Sequence, residues 1–217
     1  MRSFRVVRAR PGEIVVRRGD SKMVFRQVEP HRAAVLFRRG DLDEAPVPLG
    51  DIRAALADET VQLAVRVTRL GAVDTLVFLH ASAAIRRVLS QTADRRDYAL
   101  LVPEDPAAAA PSPPARLFRA ARRSIATLAH VRVRIAVADD PALRYGASLL
   151  VASWRDLGLD VRIVKQNANS RFTRLASPGP ASVRIARAVD ARFVSPRVRG
   201  WREDARGLVD YARVTLR

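Results

Sequence analysis

The sequence predicts an α/β fold with a mixed sheet, and three observations predict it. Residues 131–164 read as strand, helix, strand. Short β-branched runs separated by turn residues fill positions 3–28. Further strand-like pieces are dispersed along the chain, which excludes an all-helical architecture.

From the beginning, Phe4, Val6, Ile14 and Val16 mark strands at 3–8 and 13–18 around a turn at Pro11-Gly12, and 22–28 continues as a third strand. Pro30 suits the first turn of a helix whose buried side is expected at Ala34 to Phe37, and Gly40 suits its left-handed C-terminal cap. PLGDIRAALA at 48–57 predicts another short helix. VQLAVRVTR at 61–69 and VDTLVFL at 73–79 predict two strands joined by a turn at Gly71. Helices are expected at 82–91 and 94–102, and PEDPAAAAPSPP at 103–114 is the clearest loop, since its prolines remove backbone donors.

The helix predicted at 115–129 is amphipathic, with Leu117, Phe118, Ala121, Ile125 and Leu128 opposite Arg116, Arg119, Arg122 and Arg123. VRVRIAV at 131–137 alternates as a strand does. Asp139 or Asp140 caps the next helix, Pro141 occupies its first turn, and Leu143, Ala147, Leu150, Trp154 and Leu157 face a core. Gly158 ends it before the strand DVRIV, completing a parallel βαβ unit. The connection SPGPAS at 177–182 precedes short extended pieces around VRIARAV, ARFV and LVDYARVTL.

At 217 residues and 48% hydrophobic content the chain can bury a sizeable core, and a single domain over 1–217 is expected. The formal charge of +17 would ordinarily point to nucleic acid or an anionic membrane. Here only Lys22 and Lys165 are lysines, and the arginines are spread from Arg2 to Arg217, as a GC-rich coding sequence would produce on an ordinary surface. No specific nucleic-acid partner is therefore predicted. Cysteine is absent, which excludes disulfides and thiolate metal sites. No segment reaches the roughly 18 apolar residues of a membrane span, and the N-terminus has no apolar core of signal-peptide length.

His31, His80 and His130 are far apart without metal-ligand spacing, so no metal site is predicted. No nucleophile elbow, phosphate-cradling loop or dinucleotide fingerprint occurs, so catalytic residues and a cofactor are not expected. Asp41, Asp43 and Glu44 could form an acid/base pair, but they read better as a solvated turn near Arg38 and Arg39. The arginines of 115–129 lack interleaved aromatics and read as a solvated face.

Five collinear stretches carry a resemblance. FRVVRARPGEIVV (4–16), KMVFRQVEPHRAAVLFRRGDLDEAPVPLGDI (22–52), LVFLHASAAIRRVLSQTADRRDYALLV (76–102), DDPALRYGASLLVASWRDLGLDVRIV (139–164) and ARFVSPRVRGWREDARGLVDYARVTL (191–216) occur in that order. They resemble, in the same order, the second lobe and closing segment of family 5 extracytoplasmic solute-binding proteins of ABC transporters. The resemblance implies a mixed-sheet lobe of a periplasmic-binding-protein-like (type II) clamshell that binds a peptide or similar solute and delivers it to a permease and ATPase. Met1 falls where the second lobe opens, so a truncated or divergent member is expected, and a separately encoded first lobe joins the expected partners.

The resemblance implies ligand contacts at His80, where the family has asparagine after its L.F strand, at Arg87 of AIRRVLS, and at Arg187, where peptide-binding members carry aromatics. SPGPAS stands where the family has a longer segment with a W..DY.DP-like motif, so 177–182 is a shortened connection. An extracytoplasmic location is implied, or a cytoplasmic one if the start is the true one. The alternatives are a cytoplasmic ligand-sensing or regulatory module of the same fold, or a remnant without ligand binding.

Overall fold

The computed structural model describes residues 4–93, 115–127 and 132–217. The predicted helix 94–102, the loop 103–114 and His130 lie outside them. The chain divides into two compact units: unit 1 comprises residues 1–47, 55–68 and 190–217, and unit 2 comprises 48–54 and 69–189.

Unit 1 begins with an antiparallel three-stranded sheet, β1 (Arg5–Arg10), β2 (Glu13–Arg18) and β3 (Ser21–Arg26). Its first turn uses Gly12 and its second Gly19, both at positive φ, where a glycine has no Cβ to clash. Helix α1 (Pro30–Arg38) follows, and the Glu29 carboxylate caps it by accepting the backbone N–H groups of His31 and Arg32. Gly40, at φ 79°, lies just beyond its end, as expected. The buried side differs from the expectation: Ala33 and Ala34 are buried and Val35 is exposed, because a nine-residue helix turns only a narrow stripe inward.

Strand β4 (Glu44–Pro46) pairs antiparallel with the end of β9 (Ser182–Val194), placing Ala45 opposite Phe193. The core of this unit is made largely of Val and Ala, with Phe193 stacked on Phe37 at 5.1 Å between ring centroids. The final stretch forms β10 (Val198–Arg199) and β11 (Thr215–Leu216), paired to each other. Gly200 is at φ 70°, and a Cβ there would run into the carbonyl of Arg213.

Unit 2 holds a turn of 3₁₀ helix (Leu49–Asp51) leading into α2 (Ile52–Ala57), whose last residues belong to unit 1. Next come β5 (Val65–Phe78), α3 (Ala83–Thr92), α4 (Ala115–Thr127), β6 (Arg132–Val137), α5 (Pro141–Asp156), β7 (Asp160–Val164) and β8 (Ser170–Leu175). The strand order is β9-β5-β8-β6-β7. β7 and β8 both run parallel to β6, while β5 and β8 are antiparallel, so the sheet is mixed. β5 and β9 each contribute residues to both units.

The β6-α5-β7 crossover is the predicted parallel unit. Asp140 caps α5, its Oδ1 accepting from the N–H groups of Ala142 and Leu143, and Gly158 follows the helix at φ 90°. Leu143, Ala147, Leu150 and Trp154 pack with Leu76, Leu89, Ile135 and Phe172 in one core. At about 1.5–3 kcal/mol for each large side chain removed from water, this core dominates the stability of unit 2.

Three expectations are corrected. Residues 65–78 form one strand: Gly71 does not take a left-handed conformation, and the ladder to β8 begins two residues later, at Val73. VRIARAV and ARFV are likewise one strand, since Asp190 between them keeps an extended backbone in β9. Strand β8 was not predicted; its sequence SRFTRL carries two arginines, which mask the alternation of the buried Ser170 and Phe172.

Candidate functional site

The three residues expected to contact a ligand all lie in unit 2, on separate elements. His80 follows β5 in a loop tied to Asn169, whose carbonyl accepts the N–H groups of both Leu79 and His80. The Asn169 side chain in turn accepts from the Arg134 N–H at 2.9 Å and donates to the Arg132 carbonyl at 3.3 Å. The end of β5 and the loop before β8 are thus fixed to β6, and the His80 imidazole is left exposed. Arg87 lies on the outer side of α3, whose other side buries Ile85, Val88 and Leu89. Arg187 is exposed on β9, between the partly buried Ala186 and the fully buried Ala188.

Among the described residues, the side chains of His80, Arg87 and Arg187 make no hydrogen bond or ion pair, with each other or with any neighbour. Chemically they are unneutralised donors in water, suited to an anionic or carbonyl-bearing solute.

A buried ion pair stabilises the same unit. Asp74, on β5, is 4% exposed and accepts from Arg174 Nε of β8 at 2.8 Å; Asp140 lies 3.9 Å from the same guanidinium. Burial pushes the Asp74 carboxyl above its usual range, and Arg174 opposes that shift. The donor Arg174 and the acceptor Asp74 stand opposite each other on adjacent strands, so the pair supports the β5-β8 register.

Unit 1 contains a larger polar cluster. Glu44, expected to be a solvated turn near Arg38 and Arg39, is instead an anchor that is only 18% exposed. It accepts from Arg192 Nη1 at 2.6 Å, Trp201 Nε1 at 3.1 Å and Tyr211 Oη at 3.0 Å. Arg38 pairs with Asp58 at 3.5 Å, and Asp43 with Arg197 at 2.9 Å. Sequence proximity suggested Arg38 and Arg39; the tertiary fold supplied donors from the closing segment. The run of Trp201, Glu203, Asp210 and Tyr211 in a short tail was the available signal.

Arg192 also binds Asp190 at 3.0 Å and approaches Glu203 at 3.5 Å. Burial alone would lower its pKa, but Asp190 and Glu44 outweigh burial and raise it. The Glu203 side chain is wholly buried; burial, and then Asp190, push its carboxyl up to about 7, against the Thr68 hydroxyl and Arg192. Burial and Glu44 hold the Tyr211 phenol above its ordinary range. Around Glu44 the donors are turned onto one carboxylate, whereas both carboxyl oxygens of Glu203 are buried without a hydrogen-bond partner among the described residues.

On α4, Arg119, Arg122 and Arg123 are exposed and Ile125 is buried, in agreement with the predicted amphipathic face. No helix among the described residues is long and apolar enough to cross a membrane.

No protein-family model and no curated protein matches the sequence. Solved structures do match the fold. OppA of Haemophilus influenzae, in complex with RPPGFSPFR, is 12% identical with a TM-score of 0.72, over 98% of this chain and 64% of its own. The substrate-binding domain of an oligopeptide ABC transporter from Bacillus anthracis is 11% identical with a TM-score of 0.71, over 98% and 64%. NikA from Staphylococcus aureus, in complex with Ni(L-His)2, is 10% identical with a TM-score of 0.68, over 99% and 68%. The chain thus has the mixed α/β fold of these solved structures across nearly its whole length, while spanning 64% of the first of them.

Proposed function

We propose that this chain is a substrate-binding component, truncated or divergent, of a peptide-type ABC importer, working outside the cytoplasm. The observation that carries the reading is the fold likeness over 98% of the chain to proteins whose bound molecules are a peptide and a nickel–histidine complex. The collinear sequence stretches support it. In this reading 1–217 acts as one ligand-binding lobe, and a first lobe supplied by another stretch of chain completes the enclosure.

His80, Arg87 and Arg187 are the proposed ligand contacts. Their exposure without a charged partner leaves each free to bind a solute carboxylate or carbonyl, and a charge-assisted hydrogen bond of this kind contributes about 1.5–3 kcal/mol. A permease and its ATPase are the proposed protein partners, and the role is binding rather than catalysis.

The test is a thermal-shift screen of the full chain against short peptides and metal–histidine chelates, alone and with a co-expressed first lobe. A cognate solute at a hundred times its Kd stabilises the folded protein by about 2.7 kcal/mol. Arg87→Ala and Arg187→Ala are each expected to cut that stabilisation to about 0.3–1.3 kcal/mol while leaving the unliganded melt unchanged. Absence of a shift with every solute, with and without the first lobe, overturns the reading.

A further inference from the structure

The register of the first three strands assembles a cationic surface that the ligand-binding reading does not use. Arg5 stands opposite Arg17, and Arg17 opposite Lys22; Arg8 stands opposite Val15, and Val15 opposite Val24; Arg10 stands opposite Glu13, and Glu13 opposite Arg26. Residues opposite one another in a ladder share a face, and so do residues two apart on one strand. These nine residues therefore occupy one face of the sheet.

Arg5 and Arg8 are three apart and would alternate sides in a regular strand. The register shift between Val6 and Arg8 inserts one extra residue, Val7, and returns both to the same side. The face then carries six cations against a single carboxylate. Arg8 and Arg26 bind Glu13, whereas Arg5, Arg10, Arg17 and Lys22 have no ion-pair partner among the described residues.

The other side of the sheet makes the aromatic contacts, although Val6 and Ile14 on it are exposed, at 60% and 46%. Phe25 meets the edge of Tyr211 at 5.0 Å, Arg18 lies over Phe4 at 4.8 Å, and Arg18 also donates to the Ala212 carbonyl. On the cationic side all six basic residues are exposed, and so is Val24 at 40%. Val15, in the middle of the nine, is buried.

We propose that this face docks on an anionic phospholipid bilayer, its cations meeting headgroup phosphates. An array with strands about 4.8 Å apart and same-face residues about 6.7 Å apart offers a two-dimensional set of separated charges to a surface without needing a groove. No aromatic side chain lies on this face to stack on bases, which sets it apart from a single-stranded nucleic-acid platform. The proposal does not rest on the solute-binding reading, and its test contains no solute.

The experiment is co-sedimentation of the full chain with phosphatidylglycerol/phosphatidylcholine vesicles and with phosphatidylcholine vesicles, at physiological salt. Each cation near an anionic surface contributes about five-fold to partitioning, so Arg5→Ser/Arg17→Ser/Lys22→Ser is expected to lose about a hundred-fold. Arg119→Ser/Arg122→Ser/Arg123→Ser removes the same charge from α4 and is expected to lose less than ten-fold. If the first triple variant melts abnormally, Lys22→Ser alone, next to the exposed hairpin turn, carries the test with an expected loss of about five-fold. Equal losses in the two triple variants, failure of the unaltered chain to bind phosphatidylglycerol vesicles, or tighter binding to DNA than to those vesicles would each overturn the proposal.

Discussion

The two units bury their largest side chains in different company. In unit 2, Trp154, Phe172, Leu76, Leu89, Ile135 and Leu150 are almost wholly removed from water and touch other apolar groups. In unit 1 the fully buried apolar residues are mostly Val and Ala around one large ring, Phe193, while Trp201 and Tyr211 remain half-buried so that their polar atoms reach Glu44. The comparison teaches that one unit is held by non-directional burial and the other by directed hydrogen bonds to a carboxylate. The first tolerates shifts of contact and fails when volume is lost; the second tolerates little change in geometry and responds to pH.

The largest expected effect breaks the apolar side of this comparison. Trp154→Ala should destabilise the chain by about 3–5 kcal/mol in denaturant titration, since it opens a cavity in the centre of unit 2. A loss below 1 kcal/mol would mean that the core of unit 2 is not close-packed. The intermediate effect breaks the polar side. Arg192→Met leaves Glu44 and Asp190 without their shared guanidinium, which should cost about 2 kcal/mol after allowance for its 26% exposure. Arg192→Lys should recover only part of that loss, because a single ammonium cannot reproduce the forked contacts.

A third effect sharpens the comparison through pH. Folded Glu203 keeps its proton up to about 7, whereas in the unfolded chain it ionises near its ordinary value of 4.5. Between those values the folded state binds more protons than the unfolded one, so raising the pH favours unfolding. The contribution of this group is fully present below about 4.5 and is lost as the pH climbs to about 7. Glu203→Gln should flatten that slope, seen as melting curves that converge with or overtake the unaltered protein near neutrality. Parallel pH profiles of the two proteins would show that Glu203 does not titrate in this window.

Local chemistry made much of the fold legible. Pro30, Gly40, Asp140 and Gly158 signal helix ends through their own backbone and capping preferences, and the helices begin and end beside them. What was illegible depends on partners far away in the chain. Gly71 looks like a turn in isolation, but the ladder from Val73 onward holds that segment extended. Glu44 looks solvated beside Arg38 and Arg39, yet its donors lie 148, 157 and 167 residues downstream. For the proposed ligand contacts, the sequence indicated residue types and order. Exposure of His80, Arg87 and Arg187 without ion pairs is a property of the folded unit that no local pattern encodes.

Because unit 1 is assembled from three separated stretches, its completion is tied to the order of synthesis. Glu44 leaves the ribosome well before Arg192, Trp201 and Tyr211, and at about 5–20 residues per second the interval is roughly ten to thirty seconds. During that interval the nascent chain carries β4 without its pairing strand and a carboxylate that water alone must solvate, while unit 2, which lies between residues 48 and 189, emerges and gathers around Trp154. Unit 1 is therefore closed after unit 2, when residues 190–217 bring their donors to Glu44.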